Sequence, residues 1–136
     1  KMIKVLVVGY GSIGKRHVKN LLNLINIEVI VYTKRKDLKE ENKKIIFYSD
    51  FEKCLNEKPS VGFITNETSN HIKTATILAQ NGVDLFLEKP LSDSISGVNN
   101  LLKIVNKKKL ITLMGCNFRF YPPIMKIKKL YQKRKN

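Results

Sequence analysis

The sequence predicts an α/β fold, a doubly wound parallel sheet sandwiched between helices in three αβα layers. Three observations predict it. Short β-rich runs alternate with longer helix-like stretches, as strands joined by crossover helices do. The first run, Ile3-Lys4-Val5-Leu6-Val7-Val8, is almost continuously apolar, as expected of a strand buried on both sheet faces. It ends in a glycine-rich turn that opens a helix. Size agrees: 136 residues with 43% hydrophobic and 27% charged suit one globular domain and exclude a disordered or fibrous chain. No apolar run reaches the roughly 18 residues that span a bilayer. Lys1-Met2-Ile3-Lys4 leads into the first strand with no signal-peptide pattern. A cytoplasmic protein without membrane contact is expected.

The elements follow in order. A helix from Ile13 to Leu24 spaces Ile13, Val18, Leu21, Leu22 and Ile25 to face a sheet. Glu28 to Tyr32 reads as the second strand, Ile45 to Tyr48 as the third, and Phe51 to Asn56 as a short helix. Val61 to Thr65 is the fourth strand. Ser69 or Asn70 caps a helix from His71 to Asn81, which Gly82 ends. Asp84 to Leu87 is the fifth strand and stops before Pro90. A helix from Ser94 to Asn106 carries Val98, Leu101, Leu102 and Val105 on one side, and Leu110 to Met114 is the sixth strand. After Pro122-Pro123 comes a basic amphipathic segment with Ile124, Ile127 and Leu130 on one face. The boundaries expected are a dinucleotide-binding domain over 1–121, with 122–136 a basic linker or the start of a further domain.

Charge and cysteines narrow the function classes. The net charge of +15 raises nucleic acid or another polyanion as a partner. All eleven acidic residues, however, lie at or before Asp93, and eleven basic residues follow it. The excess sits late, in Lys126, Lys128, Lys129, Lys133, Arg134 and Lys135, with Tyr131 the one aromatic among them, a poor stacking platform. The run reads either as a phosphate-gripping tail or as the solvated face of a helix leading into an acidic domain, and specific nucleic-acid binding is not expected. Cys54 and Cys116 lack any metal or redox spacing, so both read as reduced core thiols and no metal site is expected.

The turn Gly9-Tyr10-Gly11-Ser12-Ile13-Gly14 is G-x-G-x-x-G between a strand and a helix, the context in which it binds a dinucleotide. Gly9 permits the tight turn, Gly11 lets backbone approach a pyrophosphate, and Gly14 lets helix and strand pack closely. The helix N-terminus supplies free N–H groups for that anion. Here the fold becomes an NAD(P)-binding Rossmann fold. A carboxylate at the end of the second strand would hydrogen-bond the ribose hydroxyls and repel a 2′-phosphate. This sequence has Thr33-Lys34-Arg35 there, a hydroxyl and two cations suited to a 2′-phosphate, and Asp37 lies too far into the loop. NADP is therefore expected over NAD, and the missing acid also argues against S-adenosylmethionine.

The extended turn Gly9 to Gly14 with Lys15-Arg16-His17, then Glu88-Lys89-Pro90 after the fifth strand, then Asn117-Phe118-Arg119-Phe120-Tyr121-Pro122 after the sixth, resembles the Gfo/Idh/MocA oxidoreductases. The three motifs run through the chain in the family's order. The resemblance implies an NAD(P)-binding Rossmann domain followed by a larger α/β domain that holds most of the substrate pocket and the subunit interface, and a homo-oligomeric whole. It implies hydride transfer to or from a sugar, nucleotide-sugar or related hydroxy or carbonyl compound. Lys89 is the residue it carries over as catalytic, its ammonium placed to stabilise charge on the reacting oxygen. Burial beside a nicotinamide would favour proton exchange at that amine. Glu88 and Pro90 would shape the nicotinamide pocket by backbone as much as by side chain.

Thr65-Asn66-Glu67-Thr68-Ser69-Asn70-His71 is similar to the family's Thr-Pro-x-x-x-x-His, with Asn66 in place of the proline; Thr65, Asn66 and His71 are expected along the cofactor, His71 either in contact with it or bonded locally. His17 reads as structural or as a distant helper, and Arg119 as holding its loop or reaching substrate. The family's Gly-Gly-x-x-x-Asp-x-x-x-His signature is absent, and no histidine follows His71, so turnover by this chain alone is not expected. The alternatives are a non-catalytic dinucleotide sensor, which has no need of Lys89, and an interaction module with a basic tail, whose affinity would fall steeply with salt.

Overall fold

A computed structural model describes residues 2–35, 38 and 42–133. The expected Asp37, Arg134 and Lys135 lie outside the described residues. Six strands, β1 (Ile3–Val8), β2 (Ile27–Tyr32), β3 (Ile45–Tyr48), β4 (Val61–Ile64), β5 (Asp84–Leu87) and β6 (Thr112–Met114), form one sheet in the order β3-β2-β1-β4-β5-β6. Every pairing is parallel. The chain builds outward from β1 to β3, returns to the other side of β1, and builds outward again. That reversal between β1 and β4 is the switch point of a Rossmann sheet, where the loops diverge and leave a crevice.

Alternation along the strands sorts the core into two layers. Leu6 and Val8 of β1, Ile30 of β2 and Ile64 of β4 pack with Cys54, Ile72, Ala75, Leu78, Leu101 and Val105. Those residues come from α2 (Phe51–Asn56), α3 (His71–Gln80) and α4 (Val98–Lys108). Val5, Val7, Val29 and Val31 point the other way, against Val18 and Leu21 of α1 (Ser12–Leu22). Residues alternating between two buried faces explain why β1 reads as one apolar run rather than as an alternating pattern.

Several sequence expectations are corrected. Helix α1 closes at Leu22, so Ile25 stands outside it at 86% exposure; the inward face is Gly14, Val18 and Leu21, which turns Ile13 to solvent. The fourth helix begins at Val98 rather than Ser94, because Gly97 sits at φ 77° and breaks the helix before it. Its buried stripe is Leu101 and Val105, one residue round from Leu102, which is exposed. Neither Ser69 nor Asn70 caps α3: a 3-10 turn over Thr68–Asn70 runs straight into it with no side-chain cap. The sixth strand starts at Thr112, since the Ile111 amide donates to the Asp84 carboxylate (2.8 Å). Cys54 is buried as expected, but Cys116 is exposed.

The last helix, α5 (Pro122–Lys133), forms as the proline-initiated amphipathic pattern requires. Its apolar residues Ile124, Ile127 and Leu130 nonetheless remain 44–58% exposed. No helix among the described residues is long and apolar enough to cross a membrane.

Two predictions follow from the packing. Burial pushes the Cys54 thiol up to about 12, and thiolate is the reactive form. Cys116 should therefore react with a maleimide within minutes under native conditions, and Cys54 only after denaturation. Mass spectrometry counts the labels; two labels on folded protein would contradict the burial. On the face of the sheet covered by α2, Lys4 Nζ bonds Glu57 Oε2 (2.6 Å) and the Tyr48 hydroxyl donates to Glu57 Oε1 (2.8 Å). These bonds from Lys4 first and Tyr48 second hold the Glu57 carboxyl below its usual range. A carboxyl lowered in the folded state stabilises at pH values above its unfolded pKa and loses that contribution as pH falls through the folded value. Glu57→Gln should cost under about 1 kcal/mol at pH 7, as partly exposed pairs do, and nothing measurable in strong acid. Urea midpoints at the two pH values check it.

Candidate functional site

The final rung of the parallel ladder builds the site. Tyr32, Val8, Ile64, Leu87 and Met114 stand in register across five strands. The next residues are Thr33, Gly9, Thr65, Glu88 and Gly115, and the ladder continues through each of their amides. Gly9 N–H donates to Tyr32 O (3.0 Å), Thr65 to Val8 O (3.0 Å), Glu88 to Ile64 O (3.1 Å) and Gly115 to Leu87 O (2.8 Å). On the outer side Thr33 N–H donates to Tyr48 O (2.9 Å). Four of the five segments singled out in the sequence thus leave the sheet from one edge, at the C-terminal ends of the strands, where ligands bind in this topology.

At the switch point the glycine turn and the loop after β4 interlock. Gly9 has φ +98°, and a side chain there would meet the Asn66 backbone at 2.8 Å. A side chain on Gly14 would run into the Gly9 carbonyl. Around Gly11, by contrast, no atom lies within 4 Å of where a Cβ would stand. The Thr65 hydroxyl staples the turn, lying 3.0 Å from Val8 O and 2.9 Å from Gly9 O. The first turn of α1 carries neither a side-chain cap nor an acidic residue. Free N–H groups and an open Gly11 make a cradle that fits an anion such as a pyrophosphate.

The other cofactor candidates are placed as follows. Tyr10 is half-buried, its ring edge-on to Phe47 (5.2 Å) and its face 5.6 Å from Lys15 Nζ, so its side chain closes the turn against β3. Ser12 and Ile13 are exposed on the first turn of α1. Thr33 is buried, and its hydroxyl accepts the Arg35 amide at 3.2 Å, so it shapes the loop that presents Lys34 and Arg35, both exposed. Asn66 Nδ2 donates to the Thr74 hydroxyl (3.0 Å), and its Oδ1 is buried without a partner. The substitution for proline thus brings a polar group that packing only half satisfies.

Both the backbone and the side chain of Glu88 are engaged: Oε1 lies 2.7 Å from His17 Nε2 and Oε2 accepts the Lys89 amide at 3.1 Å. His17, read as structural or as a distant helper, reaches Glu88 across 71 residues of chain. Its ring sits 5.2 Å from Phe63 and 5.1 Å from Phe86, which stack on each other at 4.5 Å. His71 is buried at 2% exposure, with Nδ1 2.9 Å from Pro90 O and Nε2 3.0 Å from Asn66 O. Lys89 is exposed rather than buried, its ammonium 5.7 Å from the centre of the Phe118 ring. Arg119 lies over Phe120 (5.9 Å) in a 3-10 turn over Asn117–Phe120. No group of three or more metal-ligating side chains occurs among the described residues. Phe63, Phe86 and Gly115 brace Glu88 and His17 without any motif that marks them in the sequence. No local pattern signals them, because the contacts form only when α1, β4, β5 and β6 are side by side.

Comparison with known proteins supplies the context. The family described as an oxidoreductase family with an NAD-binding Rossmann fold matches residues 3–116. The chain is 27% identical over 139 residues to the uncharacterized oxidoreductase YrbE of Bacillus subtilis, covering 97% of this chain and 40% of that protein. It is also 27% identical over 135 residues to myo-inositol 2-dehydrogenase of Thermotoga maritima, covering 93% of this chain and 40% of the relative. Among solved structures, scyllo-inositol dehydrogenase from Lactobacillus casei with bound NAD(H) and scyllo-inositol superimposes with a TM-score of 0.85 at 22% identity, over 99% of this chain and 42% of that one. Myo-inositol 2-dehydrogenase from Lactobacillus plantarum gives 0.86 at 20% identity, over 98% and 42%. The chain thus spans about two fifths of the length of these relatives.

The geometry of the turn makes a stability prediction. Gly14→Ala drives a methyl into the Gly9 carbonyl and should cost about 1–3 kcal/mol, as overpacking does. Gly11→Ala faces open space and should change stability by less than about 1 kcal/mol. Urea unfolding of the two variants checks the contrast; equal costs would mean that the turn is not packed as described.

Proposed function

The chain belongs to the Gfo/Idh/MocA oxidoreductase family, and from that premise we propose that it is the cofactor-binding part of a dehydrogenase or reductase that prefers NADP. The observation that carries this reading is the single sheet edge that aligns the Gly9–Gly14 cradle, the Thr33–Arg35 loop and the Glu88–Pro90 segment. Lys34 and Arg35, exposed beyond β2 where a ribose-binding carboxylate would exclude a 2′-phosphate, support NADP. Gly9, Tyr10, Gly11, Ser12, Ile13 and Gly14 take the pyrophosphate side. Thr65, Asn66 and His71 line the path from there to Glu88, Lys89 and Pro90.

A bound nicotinamide dinucleotide supplies the hydride chemistry. The chain's own residues orient the reacting group and stabilise its charge. Lys89 is the candidate catalytic residue: an ammonium at this edge donates a hydrogen bond to a hydroxyl or carbonyl oxygen and stabilises negative charge developing on it. The substrate class we infer is a sugar, nucleotide-sugar or cyclic polyol, in keeping with the inositol dehydrogenases among the relatives. Its pocket and an oligomeric interface would belong to a second domain beginning near Pro122, with residues 1–121 as the cofactor domain. The unpaired cysteines suit the reducing cytoplasm.

Calorimetric titration tests the reading. NADPH should bind this chain about tenfold more tightly than NADH, a difference of about 1.4 kcal/mol. The double change Lys34→Ala and Arg35→Ala should erase the preference, and Gly11→Ala should weaken both cofactors while leaving the fold intact. NADH binding more tightly would overturn the cofactor choice, and binding of neither would overturn the functional reading. Turnover with polyol substrates is expected to be absent; robust NADPH-dependent reduction by these 136 residues would contradict a need for the second domain.

A further inference from the structure

The chain has only two histidines, on different helices, and both end on the same three-residue segment. His17 on α1 holds the Glu88 carboxylate (2.7 Å), and His71 at the start of α3 holds the Pro90 carbonyl (2.9 Å). Between them the Lys89 amide donates to the other Glu88 oxygen (3.1 Å). We propose that His17 and His71 are positioning residues that fix the Lys89 backbone from its two sides, and so control binding at the nicotinamide end of the cofactor but not at its adenosine end. The proposal rests on the dinucleotide reading above.

Each arm has little freedom. The His17 ring is braced by Phe63 and Phe86, whose own stacking fixes their planes at 17° to each other. The Glu88 carboxylate is confined from the side of β6 as well: a Cβ on Gly115 would stand 3.1 Å from both of its oxygens, tighter than most real contacts. One oxygen is thereby committed to His17 and the other to Lys89. On the far side, His71 is almost wholly buried, and its second nitrogen faces Asn66 O (3.0 Å) in the loop that packs on Gly9. A neutral imidazole donates to one of these carbonyls at a time. His71 thus holds the Lys89 segment from the side of α3, and His17 holds it from the body of α1.

A catalytic ammonium at the end of a flexible side chain needs a fixed backbone to work from, because errors of about 0.5 Å already lose productive geometry. The two histidines supply that anchorage. The adenosine-side residues Gly11, Lys34 and Arg35 follow β1 and β2, whereas Glu88, Lys89 and Pro90 follow β5 on the other side of β4, so the two halves of the cofactor should respond separately.

The test titrates NADPH and ADP-ribose into the wild-type chain and into His17→Ala, His17→Gln and His71→Ala, with melting curves to confirm folding. His17→Ala should lose about tenfold in NADPH affinity, the scale of a hydrogen bond to a charged group, with less than about twofold change for ADP-ribose. His17→Gln, whose amide nitrogen can reach Glu88, should recover most of the loss. His71→Ala should show the same split if it folds. Equal losses for both ligands in a folded variant, or no loss for either, overturns the proposal. Hydrogen exchange at the Lys89 amide gives a readout that needs no ligand. It should accelerate about tenfold in His17→Ala and return in His17→Gln, since local opening governs exchange. If the wild type binds no dinucleotide the functional reading fails, and unchanged exchange at Lys89 would then overturn the positioning role independently.

Discussion

The parallel ladder between neighbouring strand ends is the interaction on which the rest of this structure depends. Because β1, β2, β4, β5 and β6 finish in one register, their first loop residues leave from one line, and the amides of Gly9, Thr33, Thr65, Glu88 and Gly115 are all spent on the neighbouring strand. A slip of one residue in any pairing would reverse the faces of that strand and displace its loop. The buried alternation of Leu6 and Val8 against Val5 and Val7 forbids such a slip. Core packing thus sets the position of the site, although hardly any core residue belongs to it.

Two kinds of contact then refine the edge. At the switch point they are steric: Gly9 and Gly14 allow the turn to lie against the Thr65–Asn66 loop and against itself, and Thr65 closes it with its hydroxyl. At β5 they are polar and partly buried, with the Glu88 carboxylate shared between His17 and the Lys89 amide. From β6 onward such contacts thin out. Leu113, Phe118, Phe120, Ile127 and Tyr131 are all at least half exposed, in a chain that spans two fifths of its relatives' length.

Legibility followed the range of the interactions. The glycine turn, the end of the second strand and the Glu88-Lys89-Pro90 segment were readable because each is a local pattern with a local physical reason. All six strands were also readable, from short apolar runs between turns, with ends off by a residue or two. The start of α4 was misread because Gly97 adopts a left-handed conformation that apolar spacing does not reveal. Cys116 was misplaced because a cysteine beyond the edge strand β6 looks, in sequence, like one beyond a central strand.

The sequence by itself determined the parallel α/β architecture, the glycine-rich strand-to-helix turn and the family, since hydrophobic period, glycine spacing and short motifs are properties of neighbouring residues. Only the tertiary structure decided that His17 meets Glu88, that His71 ties Asn66 to Pro90, and that Lys89 stands exposed beside Phe118. Those contacts join residues up to 71 positions apart. They exist because strand order, which no local pattern encodes, brings the ends of β1, β4 and β5 together.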